Sequence, residues 1–217
     1  MNALILILIF ICSYLIGSIN TAIVVGRIVS GDDIRNHGSG NAGATNVLRT
    51  YGKACAAFVV IGDCLKSVIS CLIAMLVAKI TPLGYENVKL AIYAAALGSA
   101  VGHNYPVFFN FRGGKGILVS ITAYYFADWK IALIITIIGL ALIAITKYVS
   151  LGSVVGAMLF IIFAFIFKLD DLPYIIFAIL LSGLAIYRHR ENIKRLIKGE
   201  ESKITDKKKK AETTAKE

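Results

Sequence analysis

The chain has 217 residues, of which 58% are hydrophobic, and a mean hydropathy of +0.77. That composition excludes an ordinary soluble globule, which covers itself with polar side chains. The formal net charge of +10 is gathered at segment ends and in the C-terminal stretch, as expected of basic residues that orient membrane helices and touch anionic headgroups, not of a nucleic-acid binder.

The apolar segments read as helices at about 2 to 25, 54 to 78, 88 to 110, 116 to 128, 130 to 147, 151 to 168 and 172 to 188, or about seven crossings of a hydrocarbon layer roughly 30 Å thick. The fourth is short for a span and reads as either re-entrant or strongly tilted. No Lys or Arg precedes the first apolar stretch, so a removable signal peptide is not expected. Cys12, Cys55, Cys64 and Cys71 form no C-x-x-C pair and read as small hydrophobes, with neither disulfide nor metal site expected. The expected architecture is one all-α membrane domain over 1–199, followed by a disordered charged tail over 200–217 that includes Lys207, Lys208, Lys209 and Lys210.

Orientation follows from the loops. The first connection carries Arg27, Arg35, Arg49 and Lys53, against Lys79 and Lys89 in the second, which places the first in the cytoplasm. Seven crossings then put the N-terminus outside, the C-terminus inside, and four polar stretches together on the cytoplasmic face.

Each of those stretches holds glycine, small polar and basic residues. In Gly38–Arg49 (GSGNAGATNVLR), glycines free the backbone to turn N–H groups toward an anion, while Ser39, Asn41, Thr45 and Asn46 offer short hydrogen-bonding side chains. A flexible loop is the plain alternative. The spacing of Gly38, Gly40 and Gly43 matches a dinucleotide fingerprint, but no βαβ unit surrounds it. Gly113-Gly114-Lys115-Gly116 lacks the upstream glycine and the following Ser or Thr of a nucleotide-binding P-loop; what it offers is a cation and bare amides at a helix start, where phosphate is favoured.

His103, just before Pro106, is a base, a substrate ligand or a buried hydrogen-bonding residue. Ser150 and Ser153 are site residues or helix caps. Arg188, Asn192 and Arg195 share a helical face by spacing, with His189 beside them; this face meets either substrate or headgroups. Asp63 and Lys66, one turn apart within an apolar segment, neutralise each other or touch substrate directly. A transporter for an organic phosphate and a scaffold for a soluble partner are the other function classes compatible with a basic membrane face. The sequence shows no internal repeat of the transporter kind, and a scaffold leaves the four clusters without a purpose.

The four strings GSGNAGATNVLR, GHNYPVFFNFRGGKG, SLGS and RHRENIKRL, in this order through nearly the whole chain, resemble the acyl-phosphate:glycerol-3-phosphate acyltransferase family of bacterial membranes. The resemblance implies a seven-helix bundle in the bacterial inner membrane, no metal or other cofactor, and transfer of an acyl group from acyl phosphate to glycerol 3-phosphate. It implies Ser39, Lys115, Ser153, His189 and Asn192 as catalytic residues, and Asn41, Gly43, Thr45, Asn46, Arg49, His103, Gly113 and Gly114 as substrate-binding ones. Implied partners are acyl phosphate, glycerol 3-phosphate, membrane lipids and a soluble acyl-phosphate-forming enzyme, with no nucleic acid. Ser67 after Lys66, where the family pattern has glycine, and Leu118-Val119, where it has Ala-Thr, are departures. The proton acceptor is His103, His189 or the donor's own phosphate, the last being preferred because no base is paired with an orienting carboxylate.

Overall fold

The computed structural model describes residues 1–206. Ten α-helices run through them: α1 (Asn2–Gly17), α2 (Thr21–Ser30), α3 (Ala44–Tyr51), α4 (Lys53–Ile80), α5 (Val88–Asn104), α6 (Ile117–Ala127), α7 (Trp129–Thr146), α8 (Val149–Phe167), α9 (Leu172–Arg188) and α10 (Arg190–Ile197). The protein is an all-helical integral membrane protein. Leu4, Ile61, Leu140 and Ile166 are among many large apolar side chains left on the outside of the bundle, a surface that only lipid solvates well.

Among the described residues four stretches are long and apolar enough to cross a membrane: Asn2–Ser30 counted as one, Lys53–Ile80, Trp129–Thr146 and Val149–Phe167. A fifth joins them if α9 and α10, bent by 59°, are taken together. All seven expected apolar segments contain helix, but three differ from expectation: the third, expected to reach 110, ends at Asn104 before Pro106. The first breaks in two, because Ser18 turns its hydroxyl back to Tyr14 O at 2.8 Å and Asn20 caps a fresh helix by accepting from Ile23 N at 3.1 Å. The fourth shortens to the eleven residues of α6.

Side-chain caps fix two further boundaries. Asp128 accepts from Lys130 N and Ile131 N at the start of α7, and Asp171 accepts from Tyr174 N at the start of α9. Small residues let helices touch by their backbones. A Cβ on Gly17, Gly98 or Gly102 would overlap backbone atoms across the α1–α5 contact, so this pair packs at a distance that only glycine permits. Away from the polar end the core is aromatic: Tyr124 stacks on Phe160 with ring centroids 3.7 Å apart, and Tyr93 on Phe177 at 4.4 Å.

Candidate active site

The loop before α3 is folded around one buried side chain. Asn46 Nδ2 donates to Ile34 O, His37 O and Asn41 O at 3.2, 2.9 and 3.1 Å, and Asn46 Oδ1 accepts from Ser39 N at 2.9 Å. These bonds tie the Asn46 amide to its own loop, where it holds Ser39 and Asn41 in place while also lining the cavity. Gly38 has φ +57° with Asn46 Oδ1 where a Cβ would stand, so glycine is required there. Thr45 and Arg49 follow one turn apart on α3. Arg49 Nη2 donates to Ser202 O and Lys203 O, each at 3.1 Å, while its Nε is buried without a protein acceptor among the described residues.

The glycine turn between α5 and α6 does something other than expected. Gly113 N and Gly114 N are not bare: they donate to Asn104 O and His103 O at 3.2 and 3.1 Å, folding the turn back on the end of α5. Their carbonyls accept from Arg188, with Nη2 at 2.9 Å from Gly114 O. A Cβ on Gly114 would sit 2.6 Å from Ala42 O and press into the His103 ring. Gly114 is thus a close-packing residue outside the cavity wall. What the turn does offer is Lys115 and the start of α6, which has no side-chain cap and so leaves amides unpaired.

Lys115 Nζ donates to Asn192 Oδ1. Burial pushes the ammonium pKa down to about 8; Glu201 opposes that shift, and Arg195, Arg188 and Arg49 add to it. His189 Nδ1 lies 2.8 Å from Ala185 O; a carbonyl only accepts, so the ring proton is on Nδ1 and Nε2 carries a lone pair. Burial lowers the His189 pKa to about 4, partly offset by the bond to Ala185 and reinforced by Lys115. Arg188 closes α9 while Asn192 and Arg195 lie on α10 beyond the 59° bend, so the single helical face expected of them is really two helices meeting. Ser153 Oγ bonds Val149 O at 2.9 Å, and neither it nor Ser150 caps α8, whose N-cap is Tyr148.

Residues 200–206 do not form the free tail expected from 200 onward. Glu201 Oε1 accepts from Ser150 Oγ at 2.8 Å and from Asn192 Nδ2 at 2.7 Å, and Oε2 accepts from Arg195 Nε at 2.7 Å. Ile204 N donates to Lys147 O at 2.8 Å. Glu201 is the residue that sequence reasoning missed; its only signal is a carboxylate six positions beyond Arg195. The Lys207–Lys210 run lies outside the described residues.

Together these groups wall a cavity of about 1040 Å³. Ser39, Asn41, Gly43, Thr45, Asn46, Arg49, His103, Gly113, Lys115, Ser153, His189 and Asn192 all line it, and Gly114 alone of the expected residues does not. One end is basic and polar; the other runs between α6, α7 and α8 past Ile121, Tyr124, Ile135, Leu140 and Ile143. Such a space accepts an anionic head with an apolar chain.

The sequence pattern of the family described as glycerol-3-phosphate acyltransferase matches residues 7–199. The chain belongs to the glycerol-3-phosphate acyltransferase family. It is similar to the glycerol-3-phosphate acyltransferase of Clostridioides difficile, with 43% identity over 93% of this chain and 97% of that one. A Thermoanaerobacter enzyme of the same description is 44% identical over 91% of this chain and 94% of its own. Among solved structures, PlsY, an integral membrane glycerol 3-phosphate acyltransferase, in its glycerol 3-phosphate form aligns with TM-score 0.80 and 34% identity, covering 91% of this chain and 94% of that one. Its lysophosphatidic acid form aligns with TM-score 0.76.

Proposed function

We propose that the acyltransferase takes its acyl group from acyl phosphate and uses the basic end of the cavity for both phosphate-bearing substrates. The protein is a glycerol-3-phosphate acyltransferase that forms lysophosphatidic acid. The observation that carries the further reading is the convergence on one cavity of Ser39, Arg49, Lys115, Ser153, His189 and Asn192, from segments far apart in the chain.

In this reading Arg49 and Lys115 hold phosphate oxygens. The unpartnered, buried Nε of Arg49 supports an anion there, since buried donors are rarely left unmatched. The acyl chain lies along the apolar arm beside Ile121 and Leu140. The glycerol 1-hydroxyl oxygen attacks the acyl carbon, the acyl carbon to phosphate-oxygen bond breaks, and phosphate departs with the bonding pair. The hydroxyl proton passes to the leaving phosphate. His189 offers a lone pair on Nε2, but with a pKa near 4 it is a poor base at neutral pH; by accepting from the unreacting 2-hydroxyl it orients the glycerol and leaves the 1-hydroxyl proton to the departing phosphate. Ser39, Ser153 and Asn192 orient the head group.

The proposed topology has seven crossings, by α1, α4, α5, α6, α7, α8 and α9, with the N-terminus outside and the cavity mouth in the cytoplasm. The support is electrostatic: Arg35, Arg49, Lys115, Arg188 and Arg195 gather at the cavity end, whereas the opposite end holds compensated pairs such as Lys168–Asp128 at 2.8 Å. A soluble acyl-phosphate-forming enzyme would deliver the donor to that face. The test is turnover in proteoliposomes with acyl phosphate and glycerol 3-phosphate, with lysophosphatidic acid and inorganic phosphate expected in equal amounts. Equal rates with acyl-CoA, or none with acyl phosphate in folded protein, would overturn the donor assignment.

A further inference from the structure

Behind the glycine turn lies a buried ionic cluster that the reaction scheme does not use. Asp63 and Lys66, on α4, are 2% and 5% exposed, and His103, near the end of α5, is 3% exposed. Lys66 Nζ lies 3.0 Å from Asp63 Oδ1, 3.1 Å from Ile19 O and 2.8 Å from His103 Nδ1. An ammonium has three protons and no lone pair, so these three contacts use it fully and each partner must be an acceptor.

The consequence falls on His103. Its Nδ1 carries the lone pair, and the single proton of the neutral ring is on Nε2. The competing arrangement, Nδ1–H donating to Asp63 Oδ1, spans 3.5 Å and sets an N–H against the ammonium at the shorter 2.8 Å. A proton shift from Lys66 to His103 is disfavoured because it would trade the ion pair of Lys66 with Asp63 at 3.0 Å for one of His103 with Asp63 at 3.5 Å. Nε2 is on the ring edge beside Gly114, and His103 lines the cavity. Nε2 has no hydrogen-bond partner among the described residues.

We infer that His103 is a fixed hydrogen-bond donor to a phosphate oxygen of substrate, and that Asp63 and Lys66 are positioning residues that lock its tautomer. This deepens the proposed reading of the cavity as a phosphate site and rests on it. A charge-assisted bond from a neutral donor suits a step in which phosphate gains charge as it leaves. It also removes His103 from the candidate bases: its only lone pair faces an ammonium.

The first arm needs no substrate. The full chain, labelled with ¹⁵N-histidine and held in nanodiscs, should show His103 protonated at Nε2 and unprotonated at Nδ1, with its signal assigned by H37Q and H189Q spectra. Protonation at Nδ1 overturns the proposal. The double variant Asp63→Asn/Lys66→Met keeps the core neutral and should release the lock, giving mixed or inverted tautomers; an unchanged signal would show that the pair does not set it.

The second arm separates donor from base. His103→Gln places an amide N–H near the Nε2 position, whereas His103→Ala removes it. Loss of one hydrogen bond to a charged group corresponds to about 10- to 100-fold, so Ala should lower kcat and kcat/KM by that factor, and Gln should recover most of it. Equal loss of kcat in Gln and Ala would overturn the donor role. Wild-type turnover with acyl phosphate, run alongside, reports on the cavity reading itself, so failure there is distinguishable from failure of the tautomer.

Discussion

Lys115 and Asn192 are 77 residues apart, yet the Lys115 ammonium donates to the Asn192 amide oxygen, joining the glycine turn to α10 in the wall of the cavity. The same amide donates from its nitrogen to Glu201, which fixes which way Asn192 points. A cation held by a neutral amide, and not by a carboxylate, keeps its charge for an incoming anion. Lys115→Ala should therefore lower kcat/KM at least roughly 30-fold, since truncating one member of a desolvated charge pair costs about 2 to 5 kcal/mol. Lys89→Ala is the control, an exposed side chain 3.6 Å from Asp171, and should change little. Steady-state kinetics on both purified variants make the comparison, and near-normal glycerol 3-phosphate kinetics for Lys115→Ala would remove it from the phosphate site.

The same lysine predicts a pH limb. Burial lowers its pKa to about 8 in the free protein, so it is cationic below that pH and loses its charge as pH rises through it. Phosphate binding needs the cation; kcat/KM should fall above about pH 8, while kcat falls at higher pH because bound phosphate favours the ammonium. Lys115→Arg cannot deprotonate in this range and should lose that limb at whatever activity it retains. A wild-type profile flat to pH 9.5, to take a limit roughly 1.5 units above that pKa, would contradict the assignment.

How far the sequence was legible depends on the scale of the interaction. Apolar runs marked the helical segments because hydropathy is additive along the chain, whereas the caps by Asp128 and Asp171 emerge only in the folded chain. The break at Ser18–Asn20 was hidden because Ser and Asn are compatible with a continuing helix until the Asn20 side chain turns to Ile23 N. Ser39 and Lys115 were readable as polar residues among glycines, whereas the roles of Arg49 and His189 were implied by the family resemblance. Glu201 was neither, because its value lies in three partners at positions 150, 192 and 195 that only the folded chain assembles. Likewise the amides of Gly113 and Gly114 read as free until the fold paired them with the end of α5.

Glu201 ties Ser150, Asn192 and Arg195 to one carboxylate, and the surrounding hydrogen bonds and Arg195 hold its pKa below the usual range against the opposing effect of burial. Glu201→Ala should destabilise the α8–α10 contact by about 1 to 3 kcal/mol, the cost of leaving such partners unmatched. It should also raise the KM for glycerol 3-phosphate by freeing Asn192. Glu201→Gln keeps an acceptor for Ser150 and should be milder. A thermal melt in detergent with a parallel assay reads both effects, and an Ala variant as stable and active as wild type would show that the carboxylate is dispensable.

The last prediction concerns two glycines. At Gly114 an added methyl would stand 2.6 Å from Ala42 O and 3.0 Å from His103 Cε1, well inside contact distance, with backbone on one side and a ring fixed by Lys66 on the other. Neither can yield easily, so Gly114→Ala should push the turn away from α5, stretching the Gly114 N to His103 O bond of 3.1 Å and moving Lys115 with it. Displacement of a phosphate-holding cation by about 1 Å is enough to cost on the order of 100-fold in rate, and the loss should fall mainly on glycerol 3-phosphate KM and kcat together. Gly183, within α9, has nothing within 4 Å of the same methyl, and alanine there should leave activity intact and make the helix slightly more stable, by roughly 0.5 to 1 kcal/mol on soluble-helix scales. Kinetics and melting curves for the two variants should therefore diverge in both sign and size; equal behaviour would mean that the contact of Gly114 with Ala42 and His103 does not position the turn.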